Sequence, residues 1–289
     1  MKKIVMLALI GLMAQLIDGS LGMAYGVTST TLLLVVGFSP ALASASVHLS
    51  EVVTSAVSGY SHLKFGNVDM KTVRKLVIPG AIGAFLGAAF LSYIPSTFIK
   101  PYISLFLLVL GFYVLFRFLL IKVNVNIETD STESSTAKRR MYQPLGLLAG
   151  FMDATGGGGW GPITTPILLT QKNLTPSKAI GSVNFSEFAV SLSASIGFFL
   201  FIGWETMLWQ VVVAMMLGGI IAAPFAAWLV QKLKPALLGV LAGGLIIITN
   251  LKTILTEFIS VDLLTEMSAL LPLLILWGIL IVFAVRKKA

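Results

Sequence analysis

The sequence has no cysteine, only two histidines and few charged residues. Charged side chains make up 11% of its 289 residues, whereas soluble domains carry about 25%. The absence of cysteine excludes disulfide scaffolds, thiolate zinc sites, iron–sulfur ligation and cysteine nucleophiles. Hydrophobic residues make up 57% of the chain. This composition excludes a soluble globular protein and predicts a polytopic membrane protein, in which the net charge of +8 reflects Lys and Arg at the cytoplasmic face.

Seven apolar runs are each near the ~20 residues that cross the hydrocarbon core of a bilayer. They occupy residues 41–63, 76–94, 102–121, 179–202, 207–230, 236–251 and 268–285. Two further apolar segments are interrupted. Residues 4–17 and 27–38 flank a break at residues 18–22, and residues 144–152 and 161–170 flank a break at residues 153–159. Interrupted segments in matching places indicate a transporter built on a repeat.

The two halves of the chain align with each other. At an offset of 135 residues Asp18 falls on Asp153, Tyr25 on Trp160 and Thr30 on Thr165. At an offset of 136, residues 40–51 share six of twelve residues with residues 176–187, including Glu51 and Glu187. These matches predict an internal repeat that covers most of the chain.

The distribution of basic residues predicts the orientation of the repeats. If each interrupted segment enters and leaves on one side, sixteen of the 20 Lys and Arg residues fall on the cytoplasmic side, as the positive-inside rule requires. The predicted fold is therefore an all-α polytopic membrane protein with two inverted repeats. Each repeat has a re-entrant or broken helix pair plus three transmembrane helices, and one additional C-terminal helix follows. The predicted units are the first repeat at 1–121, a cytoplasmic linker at 122–141, the second repeat at 142–255 and a C-terminal helix and tail at 256–289.

The glycine-rich breaks are candidate anion sites. Broken backbone inside hydrocarbon must line protein or a cavity, and the half-helix after each break points its N-terminal amides at the break, which favours an anion. Hydroxyl donors such as Thr28 and Ser29 lie nearby. By contrast, the scattered Gly80, Gly83 and Gly87 are assigned to helix packing, so that a bulky change at Gly83 is expected to be milder than one at Gly157 or Gly158.

The spans that follow the breaks carry polar stripes. Ser44, His48, Glu51, Ser55 and Ser58 recur at helical spacing, and Asn184, Glu187, Ser191 and Ser195 repeat the pattern. The predicted substrate-binding residues are Gly19, Ser20, Gly22, Ser46, His48, Ser50, Thr155, Gly156, Gly157, Gly158, Gly159, Ser182, Asn184 and Ser186. Four acids at membrane depth, Asp18, Glu51, Asp153 and Glu187, are assigned either to proton coupling or to bracing of the broken backbone.

The chain resembles the TauE/SafE family of sulfite and organosulfonate transporters, also called the 4-toluene sulfonate uptake permeases. The resemblance is carried by residues 19–22 with Gly26, by residues 40–47, by the mirrored residues 156–162 and by residues 182–184. It implies transport of small sulfur-containing anions such as sulfite, sulfoacetate or related sulfonates, typically with the proton gradient.

Other functions are weighed against this one. The buried acids and histidines leave a divalent metal cation transporter open as the alternative, since ionised acids would repel an anion. The sequence has no nucleotide-binding loop, metalloprotease motif or recognisable nucleophile, so we expect no enzyme. We expect neither a cofactor nor a resident metal, a small anion and the lipid bilayer as partners, and no nucleic acid. The predicted location is the cell membrane, with a cytoplasmic C-terminus.

Overall fold

The structure, a computed structural model, describes residues 2–21, 23–120, 135–169, 171, 174–229 and 235–286. Over these residues it is all-helical, with eleven α-helices and no strand. The helices are α1 (Lys2–Leu21), α2 (Tyr25–Val35), α3 (Pro40–Lys64), α4 (Met70–Tyr93), α5 (Ser96–Leu120), α6 (Ser135–Gly156), α7 (Trp160–Leu169), α8 (Pro176–Phe201), α9 (Trp209–Leu229), α10 (Pro235–Ile254) and α11 (Leu263–Arg286). A 3₁₀ turn (Trp204–Thr206) precedes α9, and a π-helical turn (Leu255–Ile259) follows α10.

The two helices with polar stripes, α3 and α8, begin in the same way. Ser39 caps α3 by accepting a hydrogen bond from the Leu42 amide at 3.5 Å, and Thr175 caps α8 through the Lys178 amide at 3.3 Å. Each cap is followed by a proline at the first helical position, where its missing N–H costs nothing. These caps lie 136 residues apart, so the local start signal is part of the repeat.

The predicted spans correspond to helices. Each of the seven apolar runs lies largely within one of the helices α3, α4, α5, α8, α9, α10 and α11, and most of these helices begin earlier than the run does. Within the described residues four helices are long and apolar enough to cross a membrane by length and composition, namely Met70–Tyr93, Ser96–Arg117, Ser177–Phe201 and Leu263–Arg286. Helix α3 has the length but carries the polar stripe.

The breaks are shorter than the sequence predicts. Asp18 and Gly19 lie inside α1, and Asp153 to Gly156 lie inside α6, so the helices continue past the acidic residues that were expected to start the breaks. The predicted linker at 122–141 is also shortened, because residues 135–141 are the first turns of α6, and its remainder lies outside the described residues.

Helices of the first half pack mainly against helices of the second half. Helix α4 packs along α6, and its repeat equivalent α9 packs along α1; the central pairs are α3 with α8 and α5 with α10. Side-chain contacts give the direction of the central pair: Ser58 bonds Asn184, Glu51 bonds Ser191, and the His48 ring lies 6.1 Å from Phe198. The α8 numbers rise as the α3 numbers fall, so α3 and α8 run antiparallel.

Glycines allow α4 and α6 to touch backbone to backbone. A Cβ placed on Gly83 would lie 2.1 Å from the Leu147 carbonyl oxygen, and one on Gly150 would lie 2.1 Å from the carbonyl oxygen of Gly80. Gly87 likewise faces the Phe151 carbonyl. The assignment of these glycines to packing therefore agrees with their positions. A Cβ at Gly83 would be as crowded as one at Gly157 or Gly158, so the space around Gly83 gives no reason for a bulky change there to be milder.

Helix α11 is an addition to the paired core. It contacts α10, where the Trp277 indole donates a 2.8 Å hydrogen bond to the Val240 carbonyl, and Lys252 pairs with Glu266 at 3.3 Å. Most of its large apolar side chains are exposed, and Gly278 has no neighbour within 4 Å of a placed Cβ. Such a surface fits a helix that faces lipid.

Candidate functional site

The two broken segments meet at their breaks. The Thr30 hydroxyl of α2 donates a 2.6 Å hydrogen bond to the Gly157 carbonyl oxygen in the second break. A Cβ on Gly26 would lie 2.7 Å from Gly158 Cα, and one on Gly158 would lie 2.2 Å from the Val27 amide nitrogen. Both breaks use left-handed backbone, at Gly157 with φ 67° and at Ala24 with φ 103°. The convergence expected from the sequence is present, with the two backbones in direct contact.

The acids Asp18 and Asp153 cap the half-helices that follow the breaks. Asp153 Oδ1 accepts hydrogen bonds from the Gly159 and Trp160 amides at 2.7 and 2.9 Å. Asp18 Oδ1 accepts one from the Tyr25 amide at 3.3 Å. These are the amides that the sequence assigns to an anion, so the protein's own carboxylates occupy the positive ends of α2 and α7. The bracing role for both acids has a direct structural basis.

The first aromatic residue of each half-helix is held by a matched serine. The Tyr25 hydroxyl lies 2.9 Å from Ser50 Oγ, and the Trp160 indole donates to Ser186 Oγ at 3.2 Å. Ser50 and Ser186 each also donate to the carbonyl three residues earlier, at 2.8 Å. These two predicted substrate contacts are thus occupied by contacts within the protein, and the repeat extends to individual hydrogen bonds.

His48 bonds its own helix through one ring nitrogen and the second break through the other. Nδ1 lies 2.8 Å from the Ser44 carbonyl oxygen, and Nε2 lies 3.2 Å from Asp153 Oδ2. A carbonyl oxygen only accepts hydrogen bonds, so Nδ1 carries a proton. Nε2 faces Asp153 Oδ2, so the ring bridges the Ser44 carbonyl oxygen and the Asp153 carboxyl group. Ser44 strengthens the junction by donating to the Ala154 carbonyl at 2.6 Å.

Three of the four buried acids line one internal gap. Asp18, Glu51 and Glu187 surround it together with Gln15, Tyr25, Thr54 and Ser55, and the space between them is too narrow for a water-sized sphere. Ser191 donates to Glu51 Oε2 at 3.3 Å, and the Ser55 hydroxyl bonds the Glu51 carbonyl. The matched acids Glu51 and Glu187 thus come together where α3 crosses α8. The repeat alignment predicted both acids as site residues, whereas nothing in the sequence indicated Gln15.

Other predicted site residues have different surroundings. Asn184, the repeat partner of His48, accepts a hydrogen bond from Ser58 and donates to the Ile180 carbonyl, and Ser182 accepts from the Asp69 amide at 2.8 Å. These contacts lie along α3 and its connection to α4 rather than at a break. Gly156 packs under the Phe106 ring, and Gly19 is buried in the last turn of α1. Gly22 and the Ser20 side chain lie outside the described residues.

Four buried hydroxyls on α2, α3 and α6 have no hydrogen-bond partner among the described residues. They belong to Thr28 and Ser29 at the start of α2, Ser46 on α3 and Thr155 at the end of α6. Helical Ser and Thr usually bond the carbonyl four residues back, and many do so here, including Ser55, Thr164 and Ser195. Because a buried polar group without a partner costs free energy, these four hydroxyls are the feature that most directly indicates a ligand.

The comparisons with known proteins agree with one another. A family model described as "Sulfite exporter TauE/SafE" matches residues 7–253. The chain is 61% identical over 260 residues to the "Probable membrane transporter protein YtnM" of Bacillus subtilis (strain 168), covering 90% of this chain and 85% of that protein. It is 26% identical over 226 residues to the "Probable membrane transporter protein YdhB" of the same organism, covering 77% and 88%. No solved structure matches the chain.

Proposed function

The chain belongs to the sulfite exporter TauE/SafE family, and on this premise we propose that it carries a small sulfur-containing anion through the junction of the two breaks, coupled to protons. The family and the names of its relatives make it a multi-pass membrane transporter, a class of proteins that is generally not enzymatic. Candidate substrates are sulfite, sulfoacetate and related organosulfonates.

The unpartnered hydroxyls of Thr28, Ser29, Ser46 and Thr155 are the observation that carries the anion proposal. A sulfite or sulfonate group presents several acceptor oxygens, which match hydroxyl donors. Hydrogen bonds to a charged group contribute about 1.5–3 kcal/mol each, so a few of them hold an anion without a fixed Lys or Arg. The same modest strength permits release on the other side of the membrane.

The acids near the junction supply the reason for proton coupling. Asp18, Glu51, Asp153 and Glu187 are all buried, and His48 is the one basic side chain that contacts them among the described residues. If all four carboxylates are ionised in the low-dielectric interior, they repel an anionic substrate. The substrate therefore binds best when these acids hold protons, so anion and protons move together. We assign the coupling role first to Glu187, which has no hydrogen-bond donor among its described contacts.

The antiparallel pair α3 and α8 supports the inverted orientation of the repeats. Two equivalent helices that both cross the bilayer in opposite directions are related by an axis in the membrane plane. Together with the positive-inside distribution of Lys and Arg, this arrangement supports our proposal that the protein lies in the plasma membrane with its N-terminus outside and its C-terminus in the cytoplasm. The direct contact between the breaks corresponds to a closed conformation, and transport requires α2 and α7 to separate.

Anion binding to purified protein tests the proposal. The probe is an alkylsulfonate, because the sulfonate group stays ionised over the working pH range, and binding is followed by calorimetry. We expect Ser46→Ala and Thr155→Val each to weaken binding about tenfold or more, since each removes a hydrogen bond worth more than about 1.4 kcal/mol. Ser92→Ala is the control, because the Ser92 hydroxyl already bonds the Ala88 carbonyl at 2.7 Å.

The pH dependence of the same measurement tests the role of the acids. Binding of the alkylsulfonate should tighten as the pH falls, because protonation removes the negative charge that opposes it. If binding is equal in the three variants and the parent, or weakens as the pH falls, the proposed site is wrong.

A further inference from the structure

His48, Glu51 and Asp153 form a compact set of ligand atoms. One atom from each side chain, an imidazole nitrogen or a carboxylate oxygen, lies within 4.8 Å of the other two. The three residues are 0%, 2% and 2% exposed. They come from two elements, α3 and the end of α6, which the junction of the breaks brings together. We propose that this cluster binds a divalent transition-metal ion, and that the bound ion arrests transport.

The distances suit one ion once Glu51 moves closer to the other two residues. Zn²⁺ binds imidazole nitrogen and carboxylate oxygen at about 2.0–2.2 Å in tetrahedral geometry, so two ligand atoms of the same ion are about 3.3–3.6 Å apart. His48 Nε2 and Asp153 Oδ2 are already 3.2 Å apart, which is a normal separation for neighbouring ligands. The Glu51 ligand oxygen lies within 4.8 Å of the other two ligand atoms, so it has to approach them by up to about 1.5 Å, which its side-chain torsions allow.

The surrounding hydrogen bonds orient the three ligands. Metal-binding histidines usually donate their second ring N–H to a carbonyl or carboxylate, and His48 Nδ1 faces the Ser44 carbonyl oxygen at 2.8 Å. Asp153 Oδ1 is fixed by two backbone amides, which leaves Oδ2 for the ion. Ser191 bonds one oxygen of Glu51, and the other oxygen has no donor among its described contacts.

Charge favours a divalent ion over a monovalent one. A neutral imidazole and two carboxylates carry a charge of −2, which a divalent cation cancels without any further group. A buried site of zero net charge avoids the large cost of an unpaired charge in the interior. Imidazole with carboxylate and without thiolate suits Zn²⁺, Co²⁺ or Ni²⁺, and the chain has no cysteine to offer a softer ligand.

A bound ion would tie α3 to the second break. His48 and Glu51 belong to α3, which follows α2 in the chain, and Asp153 caps α7. The ion therefore cross-links the first half of the chain to the second break and opposes the separation of α2 from α7. The ion also takes the position of the direct contact between His48 Nε2 and Asp153 Oδ2. The binding part of this inference is independent of the anion proposal, whereas the arrest of transport rests on it.

Binding of Zn²⁺ and Co²⁺ to the purified full chain is the first test. Calorimetry gives the Zn²⁺ affinity, and the visible absorption of bound Co²⁺ reports the ligand type. We expect His48→Ala and Asp153→Asn to lower Zn²⁺ affinity at least tenfold and to abolish the Co²⁺ bands. His62→Ala is the matched control, because His62 lies on the same helix but outside the cluster. The Zn²⁺ affinity of this variant should equal that of the parent protein.

Glu51→Gln provides a variant that keeps the contact between His48 and Asp153, so the test does not depend on a variant that loses the junction. Its Zn²⁺ affinity should also fall at least tenfold. Unchanged Zn²⁺ affinity in His48→Ala and Glu51→Gln would overturn the site and leave the anion proposal untouched.

Transport in proteoliposomes tests the arrest. Zn²⁺ at saturating concentration should stop alkylsulfonate uptake by the parent protein and by His62→Ala. If Zn²⁺ binds but uptake continues, the ion does not arrest transport. If the vesicles instead accumulate the metal in a His48-dependent manner, the ion is cargo and both the arrest and the anion proposal are wrong. If the protein binds the metal but takes up no alkylsulfonate, both the anion proposal and the arrest of transport are wrong, whereas the metal site stands.

Discussion

Asp153 and Asp18 occupy equivalent places but are held by different numbers of contacts. Asp153 accepts two amide hydrogen bonds and faces His48, whereas Asp18 accepts one longer amide bond. Asp153→Ala should lower the free energy of unfolding by about 3 kcal/mol, since it leaves buried donors unpaired. Asp18→Ala should cost about 1 kcal/mol, as for loss of a single helix cap.

Thermal unfolding in detergent, followed by tryptophan fluorescence, compares the two alanine variants. Asp153→Asn, which keeps an acceptor oxygen, should unfold between the parent and Asp153→Ala. Equal melting temperatures for the two alanine variants would contradict the assigned caps.

Gly157 combines a left-handed backbone with a crowded position. Its φ is 67°, and a Cβ there would lie 2.1 Å from Thr30 Oγ1. Gly37 is a matched control, because its φ is 97° and it has nothing within 4 Å. Gly37→Ala should cost only the backbone strain of about 1–2 kcal/mol. Gly157→Ala should cost the same backbone strain plus the free energy of the steric clash. It should therefore lower the yield of folded protein, measured by size-exclusion chromatography, much more than Gly37→Ala does.

Comparable yields for the two variants would mean that the breaks do not abut in the folded protein. The comparison isolates packing from strain, because both glycines have a positive φ and only one has neighbours.

The residues of the site could be predicted from sequence only in part. Repeat alignment found the matched acids and the matched aromatic residues, because identical positions in two halves are visible in one chain. The partner of His48 was missed, since Asp153 is 105 residues away and only the folded chain brings them together. Arg117, one of the sixteen basic residues assigned to the cytoplasmic side, lies in the last turn of α5 and is buried.

Glycine positions on the helices decide how closely the elements approach. Gly83 faces the Leu147 carbonyl oxygen of α6, whereas Gly278 on α11 faces no other atom within 4 Å. Gly83→Ala should destabilise the protein by about 2 kcal/mol or more, because backbone has to move. Gly278→Ala should leave stability unchanged or raise it slightly, as alanine favours helix. Thermal unfolding of the two variants checks this, and a stable Gly83→Ala protein would contradict the close packing of α4 on α6.

Hydrophobic runs located the helices well but not the ends of the broken segments. A run of apolar residues reveals membrane helices because every backbone group must be bonded inside the bilayer. The glycines after Asp18 and Asp153 suggested that the helices end there. Helices α1 and α6 continue for several residues because helical hydrogen bonding persists through glycine. They end just before the segments in which the Asp18 and Asp153 carboxylates cap α2 and α7.

Over the whole molecule, the two halves interlock rather than sit side by side. Helix α9 of the second half covers α1, and α4 of the first half covers α6, so neither half forms its full set of contacts alone. The sequence predicts the repeat, but it does not predict this packing between the halves, because an alignment of the two halves does not show which helices contact each other.

Reporter fusions test the membrane orientation of this arrangement. With inverted repeats and a final crossing by α11, a reporter after residue 289 should be active in the cytoplasm and one before residue 1 on the outer side. Activity of both reporters on the same side would exclude the inverted topology.

Uptake of a radiolabelled alkylsulfonate into proteoliposomes under an imposed pH gradient is the most direct test of the central claim. The account predicts saturable uptake that is faster when the outer solution is more acidic and that disappears without protein. Glu187→Gln should retain folding and uptake but lose the response to the gradient, because it can no longer exchange a proton. No uptake by folded parent protein, or uptake that ignores the gradient in both proteins, would contradict proton-coupled anion transport.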